Sequence, residues 1–338
     1  MLKKGISLLL TFSLVTGILS ACASNETNQN GVAQGDSKPE AFIKIATGNT
    51  GGTYYPVGVA MGQLLSDKLD YVTSSAMSTG GSVDNIGLLR SNEAQVGILT
   101  AAVTNDAFFG EGEFKENKYE NVRAITSMWP SLQHIVVQKD IKSFEDLKGK
   151  KFVVGAARSG TELDAHAILA SMGLFYRDEY GTKKNMEPVY VNYEEAAEAM
   201  KNKQVAGGLF NSAPPGSAIA DLMATGDFHI LSFTEEEMVK LSKEYPLFTA
   251  YTIEPGIYPN LNEEVVAPGY PAVLVTSSDM DKEVIYDLTK TIFENVATLE
   301  NAHKAAQHIR AETATKGIQI EFHEGTKQYL EEKGLWKK

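Results

Sequence analysis

The chain of 338 residues contains a single cysteine, Cys22. A lone thiol has no disulfide partner, so no disulfide framework holds the folded part, and a catalytic cysteine there is excluded too. Histidine is sparse, with six residues at positions 134, 166, 229, 303, 308 and 323. They form no His-Glu-x-x-His pair, and His303 and His308 are five apart, off one helical face. A Gly-x-Ser-x-Gly elbow is absent as well. Basic residues are outnumbered, 31 Lys and Arg against 43 Asp and Glu, for a net charge of −12. Such a surface is a poor partner for nucleic acid, and an anionic ligand has to be held by local groups instead of the overall field. Apolar content of 43% and charged content of 22% exclude disorder, collagen-like repeats and multi-span membrane classes. The length fits two domains of moderate size.

What is present begins with a leader, MLKKGISLLLTFSLVTGILSAC. Lys3 and Lys4 form its positive end, Leu8 to Leu19 its apolar stretch, and Ser20 and Ala21 its small residues. That pattern is a secretory signal, too short to span a membrane. Leu19-Ser20-Ala21-Cys22 resembles the bacterial lipobox, in which the cysteine becomes the lipidated first residue; the plainer alternative is an ordinary cleaved signal. Residues 23–40 are nearly devoid of apolar side chains and read as a flexible tether. The expectation is a signal peptide over 1–21, a tether over 22–40 lipidated at Cys22, and a body anchored to the outer face of the cell membrane.

The body opens with a strand-like run, AFIKIAT (41–47), followed by Val57, Met61, Leu64, Leu65 and Leu69 at helical spacing. YVTSSAM (71–77), a short helix capped by Ser82, and AQVGILT (94–100) continue the alternation, which predicts a parallel sheet. A second unit begins near His134 with IVVQ, a one-turn helix capped by Ser143, and KFVVGA (151–156). The next helix places Leu163, Ala167 and Ala170 on one face and stops at Gly173. EEAAEAMKNK, VAGGLF and FHILSF complete the second series. The segment with Pro255, Pro259, Pro268 and Pro271 reads as loop, AVLVTS (272–277) as strand, and Val284, Leu288, Ile292, Val296 and Leu299 as one helix. Two α/β lobes result, the chain crossing near 128–133 and returning within 245–270.

Four loops join a strand to a helix. TGNTGGTYYPVG (47–58) lacks the Gly-Lys-Ser/Thr ending of a phosphate loop, and its glycines have the wrong spacing for a dinucleotide fingerprint. A plain turn is one reading; the other is a ligand lip, with Thr53 offering a hydroxyl and Tyr54 or Tyr55 a ring wall. STGGSVDN (78–85) brings Thr79, Gly80, Gly81 and Ser82. ARSGTE (157–162) and NSAPPGS (211–217) belong to the second lobe. In open α/β sheets ligands bind beyond the carboxyl ends of strands, so a cleft between the lobes would gather all four loops. Arg158 is either a fork donor for a carboxylate or a solvated surface arginine, and His134 either faces the cleft or is packed. Glu162, Asp164 and His166 differ in helical phase and make no acid–base pair, and Glu235 to Glu237 are helix-start chemistry.

Taken together and in order, TGNTGGTYYPVG, STGGSVDNIGLL, WPSLQHIVVQKDIKSFEDLKGKKFVVG, SGTE, FNSAPPGSAI, PGIYP and HEGTKQYLEEKGLW resemble the TAXI family of extracytoplasmic solute-binding proteins, which serve ion-gradient-driven TRAP transporters. The resemblance covers residues 41–336. It implies a two-lobed type II periplasmic-binding-protein fold, with lobe I over 41–130 and 250–338, lobe II over 131–249, and the ligand cleft between them. It also implies a binding protein and not an enzyme, TRAP membrane subunits as partners, and a small carboxylate ligand such as glutamate, glutamine or a C4–C5 dicarboxylate like 2-oxoglutarate; no cofactor is expected, and nothing in the residue spacing calls for a metal ion. The ligand contacts it implies are Thr53, Tyr54 and Tyr55; Thr79, Gly80, Gly81 and Ser82; Ser159, Gly160 and Thr161; and Asn211, Ala213 and Pro214. The family commonly has Pro-Gly where this chain has Ala157-Arg158, and often glutamine where it has Thr100. Arg158 would add a partner for a second carboxylate. The rival readings are an ATP-driven importer's binding protein and an exported enzyme.

Overall fold

The computed structural model describes residues 38–178 and 183–336. The leader, Cys22 and nearly all of the tether lie outside the described residues. Alternation in AFIKIA makes strand β1 (Ala41–Ala46), whose Ile43 and Ile45 are buried. Helix α1 (Tyr54–Lys68) buries Val57, Met61, Leu64 and Leu65. Strand β2 (Val72–Met77), helix α2 (Ser82–Arg90), strand β3 (Val96–Thr100) and helix α3 (Ala101–Phe109) follow. A 17-residue strand, β4 (Val122–Gln138), leads into the second run. That run comprises β5 (Lys151–Val153), α4 (Gly160–Ser171), β6 (Glu187–Val189), α5 (Tyr193–Lys201) and β7 (Gly207–Ser212). It continues with α6 (Ser217–Ala224), β8 (Phe228–Ile230), α7 (Glu235–Glu244) and β9 (Thr249–Ile253). Strand β10 (Val265–Ser277) returns, and α8 (Lys282–Glu294), α9 (Val296–Ala302) and α10 (Glu324–Glu332) close the chain.

All ten strands belong to one sheet, in the order β2-β1-β3-β10-β4-β7-β5-β6, with β8 on β4 and β9 on β10. The α/β expectation holds, and the arrangement is consistent with the two-lobed type. The parallel sheet is found only at the two ends, where β1 pairs with β2 and β3, and β5 with β6 and β7. The centre is antiparallel: β10 pairs with β3 and β4, and β4 with β7. One long strand carries the chain from the first βα series to the second and another carries it back, which makes those two strands antiparallel neighbours.

Three readings of elements need correction. Pro268 and Pro271 lie inside β10, not in a loop, and the β10–β4 register shifts between Pro271 and Val273, where a residue without N–H is tolerated. The expected single helix after 280 is two, parted at Asn295 with φ −130°. In α4, Asp164, Ala165 and Ile168 face the core, while Leu163 and Ala170 are only half-buried.

One apolar cluster packs α1, α8 and α9 against β1, β3 and β10. A second packs α5 and α6 against β7 and β8. A third joins α2, α3, α4 and α7 on the other face, and includes Tyr270 of β10. Both ends of the sheet thus share one core layer, and α4 is pressed against the central strands.

Candidate functional site

The loops that follow β1, β2 and β5, the carboxyl ends of β3 and β7 and the start of α5 meet around a small, partly open cavity of about 30 Å³. From the first loop, Thr53 and Tyr54 line it, together with Gly48, Asn49 and Gly52; Tyr55 does not. Thr53 is the N-cap of α1, and its Oγ1 lies 2.9 Å from Ser212 Oγ and accepts from Ala213 N at 3.2 Å. Ala213 and Pro214 therefore do not line the cavity, and Ala213 is spent on joining the first loop to the fourth. Asn211 of the fourth loop does line it, from within β7.

Gly80, Gly81 and Ser82 line the cavity from the second loop. Gly81 has φ +124°, and a Cβ there would lie 3.3 Å from Ser159 Cβ, so a side chain is excluded twice over. Ser82 does not cap α2 as expected. It is the first helical residue, and its Oγ accepts from Thr100 N at 3.1 Å, fastening β3's end to α2. Thr79 sits behind the wall, where its Oγ1 donates to Asn85 Oδ1 at 2.7 Å and accepts from Gly81 N at 3.1 Å. Ser159, Gly160 and Thr161 line the third side, with Ser159 Oγ capping α4 through Glu162 N at 3.1 Å. Arg158 points elsewhere: its side chain is 65% exposed, and Nε donates to Asp84 Oδ1 at 2.7 Å.

Five lining residues were not among the candidates: Gly48, Asn49 and Gly52 of the first loop, and Thr100 and Tyr193. Thr100 caps α3, its Oγ1 accepting from Val103 N at 3.3 Å. The Tyr193 hydroxyl stands 2.7 Å from Thr161 Oγ1 and bonds both backbone groups of Asn211 at 3.0 Å. Thr100 was visible as a cap type at a strand end; nothing local marks Tyr193, whose role depends on β7.

The cavity's electrostatics come from backbone. The N-caps of α1, α2, α3 and α4 (Thr53, Gly81, Thr100 and Ser159) all line it, so four helix N-termini converge there. Each favours negative charge by about 0.3–1 kcal/mol, more where partly buried. Among the described residues no charged side chain lines the cavity. Behind its floor lies Asp164, fully buried, which accepts from Asn211 Nδ2 and Gln133 Nε2 at 2.9 Å each and from the Tyr270 hydroxyl. Burial pushes the Asp164 carboxyl up to about 7, against the pull of those donors. Burial likewise raises the Tyr54 hydroxyl, and it raises that of Tyr193 to about 12, so both stay neutral.

His134 is packed, not a site residue. Its Nδ1 is 3.0 Å from Leu132 O, its Nε2 is 3.0 Å from the Tyr258 hydroxyl, and that hydroxyl accepts from Gly216 N at 3.0 Å. Burial lowers its pKa to about 4 and keeps the ring neutral. Among the described residues no cluster of three His, Cys, Asp or Glu side chains is suited to a metal ion.

Fold and site together define an α/β protein with a small neutral cavity where helix N-termini from both ends of one mixed sheet converge. The chain belongs to the NMT1-like family, which matches residues 45–334. Among solved structures it is similar to the periplasmic aliphatic sulphonate binding protein SsuA from Escherichia coli, at 14% identity over 83% of this chain and 79% of that one, TM-score 0.46. The alkanesulfonate-binding protein SsuA from Xanthomonas axonopodis pv. citri, bound to MOPS, is 14% identical over 87% and 85%, TM-score 0.47. A putative L-cystine ABC transporter protein from Listeria monocytogenes is 13% identical over 82% and 99%, TM-score 0.46.

Proposed function

We propose that this protein is a lipid-anchored, extracytoplasmic solute-binding protein that encloses a small carboxylate between two lobes and presents it to a TRAP-type permease. The observation that carries the reading is the convergence of four helix N-termini on one small cavity that no basic side chain of the described residues lines. Backbone N–H groups and aligned helix dipoles hold an anion there without a permanent counter-charge. The ligand-contact set proposed is Thr53, Tyr54, Gly80, Gly81, Ser82, Thr100, Ser159, Gly160, Thr161, Tyr193 and Asn211. No covalent step is assigned, since no acid or base side chain lines the cavity. Membrane anchoring at Cys22, the lobe boundaries and the transporter class rest on the motifs of the sequence. A gene for a multi-span permease without an ATPase beside this one is the expected arrangement; an ATPase there would assign the protein to an ATP-driven importer.

The test is thermal unfolding of the secreted protein against a panel of amino acids and organic acids. A specific carboxylate raises the melting temperature by mass action and is recovered unchanged. Arg158→Ala keeps that shift, because the side chain lies outside the cavity. A shift only with neutral or cationic compounds overturns the carboxylate assignment.

A further inference from the structure

The floor of the cavity has an unusual hydrogen-bond account. Six buried side-chain polar atoms lack a partner among the described residues, and five of them gather here: Tyr54 Oη, Trp129 Nε1, Ser131 Oγ, Gln133 Oε1 and Asn211 Oδ1. Buried polar groups are ordinarily satisfied, so such a concentration marks a place where a partner is to arrive. Strand register assembles the group: Tyr270 of β10 is opposite Ser131 of β4, and Gln133 of β4 is opposite Asn211 of β7. The Tyr54 ring lies 6.1 Å from that of Trp129, and its hydroxyl faces the Ser131 hydroxyl, so those two groups lie within reach of each other while Asn211 Oδ1 has no partner among the described residues.

Asp164 decides what the floor offers. A carboxylate only accepts, so the amides of Asn211 and Gln133 both turn their NH₂ groups to it, and their carbonyl oxygens are left free. Asn211 lines the cavity and is more than nine-tenths buried. We propose that Asp164 is the positioning residue of this site: by fixing both amides it makes the cavity floor an acceptor, so the ligand is a carboxylate that also carries an N–H or O–H donor, and a dicarboxylate without one is rejected. The carboxylate group sits at the helix N-termini and the donor at Asn211 Oδ1. The ionisable groups packed around Asp164 are Tyr270 of β10, Tyr54 of α1, Tyr193 of α5 and Asp106 of α3. The tyrosines stay neutral, whereas Asp164 and Asp106 are both raised towards neutral pH; both amides donate to Asp164 Oδ2, so a proton on that oxygen releases them, and Asp164→Asn separates this from titration of Asp106.

This inference rests on the carboxylate reading above, and one calorimetric experiment separates the two. The probes are L-glutamate, 2-hydroxyglutarate, 2-oxoglutarate and glutarate, which share a carbon skeleton and differ at one position. At pH 8 the wild type is expected to bind L-glutamate or 2-hydroxyglutarate at least about tenfold more tightly than glutarate, with the preference shrinking at pH 6 as Asp164 takes up a proton. In Asp164→Asn, which keeps the shape but lets one amide turn over, the preference falls towards unity and no longer depends on pH. Glutarate binding as well as L-glutamate, or a preference that Asp164→Asn and pH leave unchanged, overturns the role of Asp164 and leaves the carboxylate reading standing. Binding of none of the four overturns both. Should Asp164→Asn not fold, the wild-type ranking and its pH profile decide alone.

Discussion

Folding moves the Asp164 carboxyl from water into an apolar layer between α4 and the central strands, and Asp106 follows it part of the way, rising to about 6 mainly through burial. An unfolded aspartate titrates near 3.9, so between about pH 4 and 7 the native chain holds a proton at Asp164 that the unfolded chain has lost. The sign follows from linkage: this group's contribution is fully present below pH 4 and is lost as pH rises through 7. His134 works oppositely, since its native pKa of about 4 lies below the unfolded value and its contribution is lost as pH falls. Comparing Asp164→Asn with wild type isolates the first effect. From pH 5 to pH 8 the variant is expected to gain about 2 kcal/mol relative to wild type in urea unfolding, an order-of-magnitude figure. Parallel pH profiles would show that Asp164 ionises freely. None of this was legible at residue level: α4's sequence suggests Leu163, Ala167 and Ala170 as its inner face, and the donors that make a buried Asp164 tolerable come from β4, β7 and β10, far away in sequence.

At the scale of elements, the strand-to-helix loops were legible because each carries its own chemistry: glycine for close approach, serine or threonine for the cap. Strand lengths were not. Pro130, Pro268 and Pro271 interrupt the apolar runs that became β4 and β10; Pro130 and Pro271 face each other beside a register shift, while Pro268 pairs with Ala250 of β9 in regular register. Helix starts are therefore where element-level substitutions read out. Ser159→Ala removes the hydroxyl that accepts from Glu162 N and should cost about 1 kcal/mol of stability. Gly160→Ala acts differently. Helix α4 tolerates alanine, yet its Cβ would meet Ser82 Oγ at 3.0 Å and Thr100 Cγ2 at 3.1 Å, forcing the end of α4 away from α2 and β3. The expected outcome is an unfolding midpoint within a few degrees of wild type with at least about tenfold weaker carboxylate binding, by calorimetry. Unchanged affinity in Gly160→Ala would mean that the helix ends need not close up to hold the anion.

At the scale of the whole molecule, the two loop sets that line the cavity are in contact with each other. Loops from the two ends of the sheet touch directly: Thr53 with Ser212 and Ala213, Ser217 Oγ with Gly51 O at 3.0 Å, and Arg158 with Asp84. A cavity of about 30 Å³ is room for roughly one water, and a four- or five-carbon acid is several times larger. Under the proposed function, capture of such an acid requires the two loop sets to part and re-form around it, and we propose β4 and β10, the two long strands joining both ends, as the segments that flex. A ligand shifts such an equilibrium only through contacts it makes better in one form, and here those are the helix N-termini contributed from both sides. Thr53→Val keeps the size of the side chain but leaves Ala213 N without its acceptor, so it weakens the contact between the loop sets as well as removing a hydroxyl from the cavity wall. Small-angle scattering should show a smaller radius of gyration for the wild type with saturating carboxylate than without. Thr53→Val should need about tenfold more ligand to reach the same compaction, because the competent closed form is less populated. Identical scattering with and without bound ligand would mean that the acid enters through a local opening, and the joining strands would then be struts and not hinges.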